Sequence, residues 1–262
     1  MQNSCGSTSD TKFSSPAKLV HYLDLGNFKL LPCSIKMQHN HKQCQFFHYF
    51  KDRKRPGDFY STDLCEYIEK DMDCPMGDEC LKSHNRVEQL YRPCKYKARF
   101  CSFFPNNMQK CEYGDFCSFA HSEHEISIDM IHLFDMDEDF YLFHYKTVMC
   151  PFNQSKHDKS LCVYSHNWQD YRRKPNEYFY EPIPCSSWKT TDFVASYEAG
   201  CKLEKTCDKC HGWKEYDFHP MNWRTKACPN GVTCSRRKEC SYYHTLSEKR
   251  WIFLYKFIID LN

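Results

Sequence analysis

The chain has no apolar run approaching the roughly 20 residues that a membrane span needs. Its most apolar stretch, Trp251 to Leu261, is short and carries Lys256, so it is expected to dock as a helix or strand. The N-terminus, Met1 to Pro16, is polar, rich in Ser and Thr, and lacks the apolar centre of a secretory signal. An excess of either charge is missing too: 36 Lys and Arg stand against 34 Asp and Glu, a formal net of +2. Electrostatics alone therefore point to no particular partner. Glycine is scarce, at 8 of 262 residues, and the chain is polar overall, which argues against an ordinary hydrophobic core.

Cysteine is what the chain has in abundance: 19 residues, beside 16% aromatics. A polar chain with so many thiols folds around cross-links, either disulfides or metals. An odd count fits complete disulfide pairing badly. Without an export signal a reducing compartment is expected, and cysteine clusters there read as metal ligands.

The clusters are periodic. C-x3-H occurs six times, at Cys44/His48, Cys80/His84, Cys117/His121, Cys162/His166, Cys207/His211 and Cys240/His244. A further ligand precedes each pair: Cys74, Cys111, Cys201 and Cys234 in four cases, His39 and His157 in the other two. Cys33, Cys65, Cys101, Cys150, Cys185 and Cys228 complete the sets. The assignment uses 16 Cys and 8 His, leaving only Cys5, Cys94 and Cys210 among the thiols. His41 competes with His39 in the first set, and Cys210 with its neighbour His211 in the fifth. Five residues before each first cysteine stands an aromatic: Phe28, Tyr60, Tyr96, Tyr145, Tyr180 and Trp223.

Sets one and four share the His-for-Cys replacement, an aspartate four residues past the last His (Asp52, Asp170), and a basic run ending in Pro56 or Pro175. The predicted organisation is a disordered N-terminus over 1–20, a first triplet over 21–124, an acidic and apolar connector over 125–144, a second triplet over 145–250, and the apolar segment 251–262. The fold class is small zinc-stabilised fingers, mostly irregular with short helices, as six CCCH or CHCH fingers in two compact triplets. Closed four-ligand Cys/His sets suit tetrahedral zinc in a structural role, since a catalytic zinc keeps a position open. Segments this small cannot build a sufficient core, so metal binding supplies much of the folding free energy, about 10–16 kcal/mol per site in finger peptides.

Function is read from what stands between the ligands. Single-stranded RNA is bound by stacking bases on aromatic or arginine faces. In the RNA-binding fingers that these sets resemble, the stackers sit two residues past the second and third ligands. Set three supplies Tyr113 and Phe119, set six Arg236 and Tyr242, set one Phe46 and set four Tyr164. The middle sets have Met76, Lys82, Leu203 and Lys209 instead. The residue after the lead-in aromatic is basic in the outer sets (Lys29, Lys97, Lys146, Arg224) but Ser61 and Glu181 in the middle ones. Tyr96 with Lys97, Tyr145 with Lys146, and Arg224 are therefore further candidate RNA contacts, and the middle fingers are expected to be spacers. The alternative for each aromatic is that it covers its own metal site. Six zinc ions and 16 ionised thiols bring the formal charge from +2 to about −2. Phosphate attraction must then come from Lys51–Arg55, Arg86–Arg99, Arg172–Lys174 and Arg236–Lys238, unless these runs are merely solvated linkers.

Tyr145-Lys-Thr-Val-Met-Cys150 resembles the lead-in of Cys-Cys-Cys-His RNA-binding fingers, and Cys111 to His121 resembles a tristetraprolin-type finger. From Phe28 to His244 the chain is similar to the Unkempt family, which carries two triplets of such fingers. The Asp-Arg-rich-Pro linkers, Cys207-Asp-Lys-Cys210-His211 and Phe218-His219-Pro220 carry that likeness. The second half is also similar to plant tandem fingers. The resemblance implies cytoplasmic messenger RNA binding (a nuclear location is the alternative) with control of translation or decay, and regulatory proteins as further partners. Family members commonly carry a RING-like domain, which these residues do not contain. A protein-interaction scaffold is the second reading. No cluster of carboxylates on a catalytic domain suggests an enzyme, and nothing suggests a membrane or small-molecule partner.

Overall fold

The structure, a computed structural model, describes residues 23–57, 59–152, 157–188, 194 and 196–251. The expected disordered N-terminus over 1–20 lies outside those residues, as does the apolar C-terminal segment beyond Trp251. Among the described residues no helix is long and apolar enough to cross a membrane.

Regular structure is sparse. It comprises α1 (Glu66–Glu69), α2 (Arg86–Leu90), β1 (Glu181–Pro184), α3 (Tyr197–Gly200), β2 (Lys209–Cys210) and α4 (Trp213–Asp217), with short 3-10 turns elsewhere and a π-helical turn at Phe140–His144. Sequence explains the starts: Asn85 accepts from the Glu88 amide to cap α2, and Ser196 does the same for α3 through Ala199. Longer helices have no room, because the chain must fold back to a cluster ligand every few residues.

A single backbone pattern recurs at every Cys/His set. The amide of the first ligand donates to the carbonyl just before the last histidine: Cys33 to Phe47, Cys65 to Ser83, Cys101 to Ala120, Cys150 to Ser165, Cys185 to Cys210 and Cys228 to Tyr243, all at 2.8–2.9 Å. Parallel pairing accompanies each bond, as isolated bridges in five repeats and as β1 with β2 in the remaining one. The residue after the lead-in aromatic donates to the carbonyl after the third ligand, as in Lys29 to Gln45, Lys97 to Ser118 and Lys146 to Val163, each at 2.8 Å. In the outer repeats that residue sits at positive φ, from 53° at Arg224 to 63° at Lys146. A non-glycine residue holds this left-handed conformation only when surrounding contacts over-determine it.

For Lys29, Lys97 and Lys146 such contacts come from a carboxylate four residues past the last histidine, a position that is acidic in every repeat. Asp52, Glu88, Glu125, Asp170, Glu215 and Glu248 each accept the histidine amide, at 2.6–3.3 Å. The same carboxylates bind Lys29, Arg55, Lys97, Lys146, Arg173 and Arg237 at 2.6–2.9 Å. From sequence only Asp52 and Asp170 stand out, each followed by a basic run ending in proline.

The chain divides into two compact units, Met1–Ser127 and Ile128–Asn262. In the first, Asn40 Nδ2 and Gln43 Nε2 donate to the Glu112 carbonyl at 3.0 and 2.9 Å, joining repeat one to repeat three. Repeat two is anchored by Arg55, which binds Glu88 and the carbonyls of Cys80 and Lys82. Phe28 packs on Tyr91 with ring centroids 4.3 Å apart.

In the second unit Arg173 repeats this arrangement with Glu215, Cys207 and Lys209. Arg172 donates to the carbonyls of Tyr141, Leu142, Tyr145 and Phe218. The linker runs therefore correct the expectation of phosphate-attracting patches or solvated faces: Lys54, Arg55, Arg172 and Arg173 are buried. Residues 128–144, expected as part of a connector, belong to the second unit. Ile131, Phe140, Tyr141 and Leu142 sit in its core with Tyr145, Tyr164, Phe218 and Trp223.

Candidate metal centres and nucleic-acid interface

The repeats bring the ligands together. In Cys33/His39/Cys44/His48, Cys65/Cys74/Cys80/His84, Cys101/Cys111/Cys117/His121, Cys150/His157/Cys162/His166 and Cys185/Cys201/Cys207/His211, the ligand atoms lie within 4.8 Å of one another. Cys228 and Cys240 have sulfurs 3.9 Å apart, and Cys234 and His244 complete their repeat.

These separations test the metal. Tetrahedral zinc, with bonds of about 2.3 Å to sulfur and 2.05 Å to nitrogen, requires roughly 3.8 Å between sulfurs, 3.6 Å from sulfur to nitrogen and 3.3 Å between nitrogens. Sulfur pairs stand at 3.8 Å for Cys33/Cys44 and Cys185/Cys207, and 3.9 Å for Cys150/Cys162. Sulfur to Nε2 is 3.6 Å for Cys33/His39 and 3.5 Å for Cys150/His157. The paired histidines show 3.2 Å for His39/His48 and 3.0 Å for His157/His166. Each value falls within about 0.3 Å of the zinc geometry.

Two further observations agree. Nε2 of His84, His121, His211 and His244 is buried without a hydrogen-bond partner. A buried polar atom left without a partner is costly, and a metal at the centre of each set satisfies its histidine. The Nδ1 atoms are held from behind, by the Met37 carbonyl for His39, the Tyr197 hydroxyl for His211 and Glu248 for His244. Such partners fix the ring so that Nε2 faces the metal. Burial also pushes His211 down to about 4, which keeps its ring in the neutral, ligating form. Conversely, burial and neighbouring thiols push Cys117 and Cys240 up to about 12, so ionising a whole set requires a cation among them. Zinc here is structural: all four positions belong to protein, and no substrate position remains.

Both open alternatives resolve geometrically. His41 stacks on His48, with centroids 3.8 Å apart, and stays outside the cluster. The Cys210 thiol donates to the Glu181 carbonyl at 3.1 Å and leaves His211 as the ligand.

The candidate RNA contacts divide sharply. Tyr145 and Tyr164 are buried, the latter with His132 Nδ1 2.7 Å from its hydroxyl, so neither ring offers a face to a base. Lys97 and Lys146 are buried against Glu125 and Asp170. The lead-in lysines hold the repeat together instead of meeting phosphate. Arg224 lies over Trp223, its guanidinium carbon 4.5 Å from the ring centroid, and Tyr96 is half-buried. Five of the six lead-in aromatics are core residues, which explains their fixed position. Tyr113 is exposed, while Phe46 and Phe119 are half-buried.

Arg236 and Tyr242 line a cleft of 270 Å³ in the second unit, together with Trp213, Lys214 and Asp217 of α4. Trp213 is 52% exposed. It stands two residues past the last ligand of its repeat, outside the lead-in and between-ligand positions at which the sequence offers candidate contacts.

A family model for AtC3H23-like CCCH zinc fingers matches residues 139–173. The human RING finger protein unkempt homolog is 24% identical over 88% of this chain and 36% of its own length. The Drosophila melanogaster RING finger protein unkempt is 27% identical over 88% of this chain and 48% of its own. Rice zinc finger CCCH domain-containing protein 37 is 35% identical over 44% of this chain and 42% of its own. The chain's homologues are Unkempt and plant CCCH zinc finger proteins. It spans less than half the length of each of these relatives.

Proposed function

We propose that the chain is a zinc-dependent single-stranded RNA-binding protein, with six structural zinc ions holding six fingers in two triplets. Supporting this reading are its CCCH relatives and, above all, the placement of Trp213, Arg236 and Tyr242 around one open cleft. Tyr113 and Phe119 offer a second stacking surface on finger three. Each stacked base contributes about 1–3 kcal/mol, so a few such contacts in each unit give useful affinity on one strand. Messenger RNA is the proposed target, with translation or decay as the regulated step and the cytoplasm as the place. The RING of the relatives' names describes those longer proteins. For this chain we propose no enzymatic activity.

The deciding experiment measures binding of the zinc-loaded chain to random single-stranded RNA, beside a variant carrying Tyr113→Ala and Phe119→Ala. Binding weakened by the pair supports the reading. One observation favours a scaffold instead: Met37 and Phe50 of finger one are 80% and 82% exposed, apolar side chains open to a protein partner. Absence of RNA binding by the wild-type chain would favour that second reading.

A further inference from the structure

Tyr113, the exposed ring of finger three, is held by a neighbour. Finger one reaches it from a 3-10 turn, His41–Gln43. That turn is itself fixed beside a metal site. The Asn40 side chain caps it by accepting from the Lys42 amide at 3.0 Å, and Lys29 Nζ donates to the His41 carbonyl at 2.9 Å. The His41 ring stacks on the ligand His48. From this base two amides converge on one carbonyl: Asn40 Nδ2 and Gln43 Nε2 both donate to Glu112, at 3.0 and 2.9 Å. A carbonyl oxygen has two lone pairs, and finger one uses both. Glu112 directly precedes Tyr113, so the hold falls on the backbone that carries the ring. Lys42 completes the contact, its ammonium paired with the Glu112 carboxylate and 5.5 Å from the centroid of the Tyr113 ring.

The approach leaves little room. Gly114 sits at φ +50°, and a β-carbon there would meet Gln43 Nε2 at 3.1 Å. At the corresponding Gly77 and Gly231 nothing lies within 4 Å of such a carbon. The second unit joins the same two places. Arg236, two residues past its second ligand as Tyr113 is, donates to the Ser160 carbonyl at 3.1 Å. Ser160 and Lys42 both stand two residues before their third ligand. An accidental surface contact would not recur at matching positions in both units.

Energetics separate the roles. The Lys42–Glu112 pair is exposed, and such pairs contribute little on their own. The two amides therefore fix the backbone, while Lys42 covers one face of the ring. A ring held in place before its ligand arrives loses less freedom on binding.

We propose that Asn40 and Gln43 of finger one are positioning residues for RNA binding by finger three, fixing Tyr113 for a base that stacks on the ring face turned away from Lys42. The inference rests on the RNA-binding reading. It gives finger one a part in recognition beyond any contact of its own.

The test is a double-mutant cycle on the full zinc-loaded chain with a labelled random single-stranded RNA. One arm joins Asn40→Ser, which keeps an oxygen to cap the turn, to Gln43→Met, which keeps the length of the side chain. This pair should weaken binding about fivefold, the scale of ordering one side chain on association. In a Tyr113→Ala chain the same pair should cost nothing further. A role confined to folding would cost as much in either background, because Phe119 and the rest of finger three would be disturbed as well. Native mass spectrometry should find the wild-type zinc content in every variant. If the wild type binds RNA and the pair leaves affinity unchanged, lowers it equally with and without Tyr113, or loses a zinc, the positioning role is overturned and the RNA-binding reading survives. If the wild type binds no RNA, both fall.

Discussion

The guanidinium of Arg173 and the carboxylate of Glu215 meet at 2.7 Å with neither side chain exposed to solvent. Glu215 also accepts the amide of the ligand His211, so one carboxylate ties the linker, the middle repeat and the metal site together. In the first unit Arg55, Glu88 and His84 form the same triangle. Removing one partner of a buried pair strands the other charge and costs about 3–5 kcal/mol. Glu215→Ala should therefore destabilise the second unit by about that amount, and Glu88→Ala the first. Denaturant unfolding of each variant checks this; a change below about 1 kcal/mol, typical of an exposed pair, would contradict it.

The lead-in lysines yield a contrasting prediction. Lys146 pairs with Asp170 and also donates to the Tyr164 carbonyl at 3.0 Å. Lys146→Met should lower thermal stability and leave the salt dependence of RNA binding unchanged. A shallower salt slope with unaltered stability would return Lys146 to the phosphate backbone.

Salt dependence itself should be modest. The buried linker arginines cannot reach phosphate, and zinc with its thiolates adds no net positive charge. With about two or three phosphates neutralised, the slope of log affinity against log salt should be near −2, at about −0.7 per contact for single strands. A slope near −6 would require a basic surface that these buried residues do not provide.

How much of this could be read from sequence depends on the kind of residue. Ligands are legible because a metal demands particular side chains at particular intervals, and one ligand set is repeated along the chain. Zinc's role as a structural ion follows from the closed sets. The lead-in aromatics were visible as a pattern, but their burial was not: an aromatic at a fixed position serves equally well as core or as stacking platform, and for Tyr145 packing against Phe218 decides. The basic linkers misled for a related reason. A run of Lys and Arg is ordinarily solvated, and only the folded partners make burial favourable: the carbonyls of Tyr141, Leu142, Tyr145 and Phe218 for Arg172, and Glu215 with the carbonyls of Cys207 and Lys209 for Arg173. The carboxylates four residues past each last histidine were present in all six repeats. The change from Asp to Glu in four of them hides the shared role.

The metal count is open to direct measurement. Native mass spectrometry of the folded chain should find six zinc ions. Fewer would show that a set, first of all one of the two-histidine sets, is filled in some other way.

Most directly, zinc-dependent RNA binding is tested by the anisotropy of a labelled random single-stranded RNA, titrated with the chain before and after its zinc is removed. The zinc-loaded chain should bind, lose binding on chelation, and regain it when zinc is restored. Undiminished binding by the metal-free chain would contradict this dependence.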